Sequence, residues 1–270
     1  MTSGRTRIVR SRAVPPVRFV HPDSGTSAAV AVSSALGGGM LEGDDYRFNV
    51  KCGPGSSLLF APQANTRVFP CPGGRESRQS IRGTVYANGL MVCGGDPVVP
   101  YAGSRFAQTQ RWVLHPGARL VLIDWMTAGR LDRAERFAFE TFESVVRVED
   151  SEGKPLLVDS LRLDPAAQGI PAAEGALAGH ASVLAVHGMG PCWESLHDRL
   201  RDWLRERPSG TRPRWMDGNA LAGLSAREDR GFSLRAVGID RAALEPFVAK
   251  LFELLSSPDW LGFDFWKRKY

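Results

Sequence analysis

Tyr46-Arg47-Phe48-Asn49-Val50-Lys51-Cys52 decides the fold: apolar side chains stand at every second position, polar ones between them, and Gly53-Pro54-Gly55 closes the run. Successive side chains of an extended strand point to opposite faces, so this run buries one face and wets the other. The same period extends outward to residues 28–34, 57–61, 78–86, 108–115, 119–126, 145–149, 156–163, 181–187 and 232–237. Phe137 and Phe139, alternating with Ala138 and Glu140, predict one more strand. Pro72-Gly73-Gly74, Asn88-Gly89, Pro116-Gly117 and Glu152-Gly153 supply turn chemistry between the runs. Short strands punctuated in this way predict a mainly β, antiparallel architecture.

Two segments carry a helical period instead. In residues 193–207 Trp193, Leu196, Leu200, Trp203 and Leu204 form one stripe, and in 246–256 Phe247, Leu251, Phe252, Leu254 and Leu255 do the same behind Pro246. Residues 166–179 read as a small-residue loop. With no internal repeat, the reading is a single domain over 1–270, with 1–20 as a flexible N-terminal extension and 258–270 as a tail.

Composition narrows the function. At 270 residues and 43% hydrophobic the chain buries a sizeable core, which excludes disorder. Lys+Arg 34 against Asp+Glu 29 leaves a formal charge of +5, too mild to call for nucleic acid. Cys52, Cys71, Cys93 and Cys192 form no C-x-x-C pair, so neither a zinc finger nor a disulfide scaffold is indicated. A reducing, cytoplasmic location follows as the simplest expectation. The uncharged stretch 24–41 is too rich in glycine and serine to insert in a membrane. Arg5, Arg7, Arg10, Arg12 and Arg18 resemble a transit peptide, but Pro15 and Pro16 interrupt the helix one needs, and the pattern equally suits a charged edge strand.

Enzyme chemistries fail one by one. Val186-His187-Gly188-Met189-Gly190 has the form of an oxyanion turn, yet no G-x-S-x-G nucleophile elbow accompanies it. No lysine stands in a phosphate-cradling loop, and the five histidines show no H-E-x-x-H spacing. His187 and Cys192 could meet across the turn between them, a couple more often structural than metal-binding.

What remains is a set of small and acidic residues at strand ends. Gly37-Gly38-Gly39-Met40-Leu41-Glu42-Gly43-Asp44-Asp45 gathers carboxylates behind three glycines; Gln63-Ala64-Asn65-Thr66-Arg67-Val68-Phe69, Asp96-Pro97-Val98-Val99-Pro100 and Gly129-Arg130 through Glu135-Arg136-Phe137 follow. These strings, in this order, resemble the UreD-type (also UreH-type) urease accessory proteins. Gly38, Gly39, Gly43 and Asp44 match a Gly-Gly-x-x-x-Gly-Asp pattern; Gln63, Ala64, Thr66, Val68 and Phe69 match Gln-Ala-x-Thr-Lys-Val-aromatic. Asp96, Pro97 and Pro100 match Asp-Pro-x-x-Pro, followed by Gln108 or Gln110, and Gly129, Arg130, Glu135 and Phe137 match the last pattern. Arg67 replaces a lysine, and Ala134 replaces a glycine.

The resemblance implies a non-catalytic role with no permanent cofactor: a nickel-delivery chaperone between the urease apoprotein, an all-helical adaptor and a nickel-carrying GTPase. It also implies a β-helix-like stack of strands with two α-helices. A conduit that must release Ni(II) is better built from sparse oxygen ligands than from imidazole or thiolate clusters. Glu42, Asp44, Asp124 and Glu135 are therefore the expected transient nickel stations; the competing reading makes Asp44 and Asp45 turn caps and pairs Glu135 with Arg130 or Arg133. A second expectation is a pure protein–protein adaptor that works through exposed helix faces and the aromatic tail Trp260, Phe263, Phe265 and Trp266.

Overall fold

The computed structural model describes residues 4–206, 214–216, 219–227 and 231–269. The chain starts with β1 (Val17–Val20) and β2 (Ala29–Ala35), then winds through β3 (Asp45–Cys52), β4 (Ser57–Pro62), β5 (Thr66–Val68), β6 (Ser77–Val85), β7 (Leu90–Cys93), β8 (Val98–Pro100), β9 (Arg105–Leu114), β10 (Arg119–Thr127) and β11 (Thr141–Asp150). Next come β12 (Pro155–Leu163), the short helices α1 (Pro165–Gln168) and α2 (Ile170–Ala176), β13 (Ser182–Met189) and α3 (Trp193–Arg205). β14 (Arg214–Met216), β15 (Ala220–Arg227), β16 (Gly231–Gly238), α4 (Glu245–Leu255) and α5 (Phe265–Lys269) complete it.

Each winding lays one strand in each of two facing sheets. One sheet runs β1-β2-β4-β7-β10-β13-β16-β15-β14, with β5 and β8 alongside; the other runs β12-β11-β9-β6-β3. The mainly β, stacked architecture is as expected, but pairing within the coils is parallel: β3 with β6, β6 with β9, β9 with β11, and β2 with β4, β7 and β10 in turn. Antiparallel order holds for β1–β2, β11–β12 and the run β10-β13-β16-β15-β14. The misreading has a physical cause. Gly53-Pro54-Gly55, Asn88-Gly89 and Pro116-Gly117 turn corners between facing sheets, and a corner uses the same residues as a hairpin; Glu152-Gly153 alone of those quoted links an antiparallel pair.

Strand parity separates two cores. On β10, Leu120, Leu122 and Met126 face between the sheets, while Val121, Ile123 and Trp125 face outward beneath the helices. α3 adds Leu196, Leu200 and Leu204 to that outer core, and α4 adds Phe247, Leu251 and Phe252. Both helices match their expected spans to within two residues, and residues 166–179, read as a loop, contain α1 and α2. Trp260, Phe263 and Phe265 are buried in the outer core, with the Arg119 guanidinium 5.0 Å from the Trp260 ring. The tail is thus core, which removes it as the working surface of a pure adaptor. Phe137 and Phe139 are buried between the sheets but lie in an irregular loop, where Phe137 has φ 53. Apolar alternation there came from two core contacts of a loop. Among the described residues no helix is long and apolar enough to cross a membrane.

Candidate functional site

The inner face of the second sheet carries a polar row. Tyr46, Gln79, Gln108 and Ser144 are register partners on four successive strands, β3, β6, β9 and β11. Each shares parity with core neighbours, such as Phe106 and Trp112 beside Gln108, so its side chain enters the space between the sheets. Asp124 of β10 meets this row from the opposite sheet. The Gln108 amide donates to Asp124 Oδ1 at 2.8 Å, and the Ser144 hydroxyl donates to Oδ2 at 2.6 Å. Gln79 in turn donates to Gln108 Oε1 at 2.9 Å. Burial pushes the Asp124 carboxyl up, although the bonds from Ser144 and Gln108 favour the anion. Cys93 is buried nearby, its thiol pushed up first by burial and then by Asp124.

Asp124 nonetheless borders open space. A void of about 60 Å³ is lined by Gln79, Cys93, Asp96, Gln108, Gln110 and Asp124 among others. It adjoins a cleft of about 230 Å³ whose walls include Gly38, Gly39, Tyr46, Gln63, Asn65 and Arg67. Ser33, Phe48, Pro62, Thr66 and Gln79 line both hollows, so the void that Asp124 borders lies directly behind the cleft. Two volumes of this size hold water and small ions.

The glycine and threonine strings build the mouth. At Gly39 a Cβ would lie 2.6 Å from the Arg67 carbonyl oxygen, so only glycine lets this turn approach β5 closely. The Thr66 amide donates to the Pro97 carbonyl at 3.0 Å, joining β5 to the turn that carries Asp96, whose side chain has 0% exposure. Gln63 and Arg67 are exposed at the rim.

The four expected stations are not brought together. Asp124 borders the inner void. Asp44 caps its own turn by accepting from the Leu41 amide at 2.8 Å, beneath the cleft-lining Tyr46. Burial first, then the Asp44 carboxylate, pushes the Tyr46 phenol up to about 12. Glu42 accepts from the Arg75 amide at 2.9 Å, and that bond lowers its pKa. Glu135 accepts from Arg130 Nε at 2.8 Å and from the Ala102 amide at 3.3 Å, and the Arg130 bond chiefly holds its carboxyl low. Arg130 also lies 4.0 Å over the Tyr101 ring, and Gly129, with φ 93, passes so near the Glu135 backbone that a Cβ would sit 2.1 Å from its carbonyl oxygen. This is the pairing that the competing reading described. Sequence reasoning quoted Asp96 and Gln108 only as family-pattern residues and missed Gln79 and Ser144; the first three line the inner void and Ser144 bonds Asp124 on its wall.

His187 does not meet Cys192, which is exposed. Its Nδ1 lies 2.9 Å from Ser233 Oγ and its Nε2 2.9 Å from Asp159 Oδ2, while Arg235 donates to Asp159 Oδ1 at 2.5 Å. Burial alone would raise the Asp159 carboxyl, but the bonds from His187 and Arg235 outweigh it and pull it down to about 2. A carboxyl depressed in the folded state stabilises above its unfolded pKa, and that stability is lost as pH falls through the folded value. Asp159→Asn should therefore lower the unfolding free energy at pH 7 by about 2 kcal/mol. Urea titrations across pH should show this difference shrinking from roughly pH 5 toward pH 2; a pH-independent difference would assign Asp159 a purely steric role.

Among the described residues no group of three His, Cys, Asp or Glu side chains could hold a metal ion. The interior offers separated oxygen donors, Asp96, Asp124 and glutamine amides, which suits weak and exchangeable binding of a divalent cation. The sequence matches the family described as UreD urease accessory protein over residues 1–266. A Cytophaga hutchinsonii protein named urease accessory protein UreD is 30% identical over 266 residues, 97% of this chain and 92% of its own. A Sorangium cellulosum protein of the same name is 32% identical over 268 residues, 99% of this chain and 81% of its own. Arabidopsis thaliana urease accessory protein D is 29% identical over 153 residues, 55% of this chain and 52% of its own. A match that runs from the first residue through the buried aromatic tail, on a coil of strands whose apolar interior carries one polar row, means that this chain belongs to the UreD urease accessory protein family.

Proposed function

We propose that the protein serves urease maturation as scaffold and conduit, passing nickel toward the urease apoprotein from a nickel-carrying GTPase, with an all-helical accessory adaptor in the same complex. The family name supports the urease connection and a non-catalytic role, and the buried thiols of Cys52, Cys71 and Cys93 suit a reducing cytoplasm. The observation that carries the conduit is the Asp124 carboxylate on a small inner void behind a cleft, both walled by a mixture of apolar side chains and scattered amide and hydroxyl groups, with Asp96 and Asp124 as the carboxylates of the void. Nickel is cargo here, held transiently by Asp96 and Asp124 with water, and handed on because no cluster grips it.

Asp44 caps its own turn and does not line the cleft, whereas Asp124 borders the inner void, so their substitutions should differ in size. In a reconstituted activation assay at limiting nickel, Asp44→Ala should reduce active urease less than Asp124→Asn does. Glu135→Gln, which weakens the Arg130 clamp, should lower melting temperature and leave activation per folded molecule unchanged. If Glu135→Gln abolished activation at unchanged stability, the route would run through the Arg130 surface instead. A pure adaptor predicts that none of these carboxylates affects nickel transfer.

A further inference from the structure

A hollow of about 350 Å³ lies at the β3 end of the stack, walled by residues of β1 to β4 and by residues 6–12. Its floor is apolar: Phe19, Val50, Leu58 and Phe60 line it, and the Phe19 ring packs 6.2 Å from that of Phe60. Residues 6–12 belong to no strand and bound one side as a strap tied near both ends. The Thr6 amide donates to the Ser27 carbonyl at 2.8 Å, and the Thr6 hydroxyl accepts from the Ser57 amide at 3.0 Å. At the other end Ser11 Oγ lies 2.9 Å from His21 Nε2.

The charge on this wall has one sign. Arg7, Arg10 and Arg12 of the strap and Lys51 of β3 line the hollow and no Asp or Glu does; none of the four makes an ion pair among the described residues. Asp23, two residues past His21, is held by Arg5, and Asp45, at the start of β3, is held by Arg47. A concave wall of one charge over an apolar floor focuses its field and concentrates the opposite charge. It repels a divalent cation. An inorganic anion would leave the floor uncovered, and a neutral apolar body would leave the cations unanswered, whereas a guanidinium fork matches a carboxylate. The volume stands at the small end of the range for ligand pockets, which suits a compact molecule rather than a run of polypeptide.

We propose that this hollow is a binding site for a small amphipathic anion: a compact apolar body lies against Phe19 and Phe60, and one carboxylate head sits among the strap arginines and Lys51. The site stands apart from the conduit reading. Phe60 is a wall of both this hollow and the inner void, but Asp96 and Asp124 border only the void.

Calorimetric titration of sodium decanoate, below its micellar concentration, into the full chain tests the site. Decanoate should bind at one site per chain and raise the melting temperature. Arg10→Gln/Lys51→Gln removes exposed charge from the strap and from β3 without touching the floor, and should weaken decanoate at least about tenfold. Ala31→Leu, which narrows the hollow, should weaken it as well; should that variant fold poorly, the charge variant still decides. Sodium acetate has the head without the body, and decyltrimethylammonium has the body with the opposite charge, so neither should bind measurably at the same concentrations. Absence of decanoate binding to wild type, equal affinity in Arg10→Gln/Lys51→Gln, or equal binding of decyltrimethylammonium overturns the proposal. So does a melting temperature that decanoate lowers alike in wild type and the charge variant, since that reads solubilisation of the fold rather than occupation of a site.

Discussion

Asp124→Asn is expected to reduce urease activation at limiting nickel by about tenfold, equivalent to ~1.4 kcal/mol of lost transfer efficiency, while the melting temperature stays level or rises. The two effects part because Asp124 is costly for the fold. Burial pushes its carboxyl up, so the unfolded chain ionises before the folded one does, and stability falls as pH climbs from the ordinary carboxylate range toward the raised value. Asparagine keeps the shape and still accepts from Ser144 or Gln108 through its one remaining oxygen, but it has no charge to desolvate. It also lacks the anionic oxygen that a passing cation needs. A variant that melted lower and activated normally would reverse both halves of this assignment.

Trp112→Ala is expected to cost 3–5 kcal/mol, of the order seen when large aromatic side chains are removed from a core. For a chain of this size that lowers the melting temperature by roughly 10 °C. Trp112 has 0% exposure and stands in one register row between Gly83 of β6 and Val148 of β11. Its ring lies over Gly83 so closely that a Cβ there would be 2.0 Å away, which makes the indole the filling of that rung. Its Nε1 also donates to Gln110 Oε1 at 3.2 Å, so truncation leaves a buried amide with one partner fewer. Differential scanning calorimetry reads the loss. A drop of only a degree or two would mean that the coils carry their stability elsewhere.

Tyr46–Cys52 shows how far sequence carried: its alternation is reproduced residue by residue, because one strand face is wet and the other dry. Sheet order was not legible, since a corner and a hairpin use the same glycine and proline chemistry. Phe137 and Phe139 were misread because a loop dipping twice into a core has the same period as a strand. The polar row could have been found. In Phe106, Gln108, Gln110, Trp112 and Leu114 the glutamines share parity with large apolar residues, a signal that they face inward. Asp124 carries the same mark between Leu122 and Met126. By contrast, Asp96 and Arg241 lie far apart in the chain, and only the fold of the connection between β16 and α4 brings them together.

The central claim is that nickel passes through the interior rather than around it. Thr66 lines both the outer cleft and the inner void, so Thr66→Phe should fill the junction between them. Nickel incorporation into urease, measured in a reconstituted complex shown to assemble with wild-type affinity, should then fall to the level seen without this protein. Incorporation at the wild-type rate through the blocked variant would contradict the account.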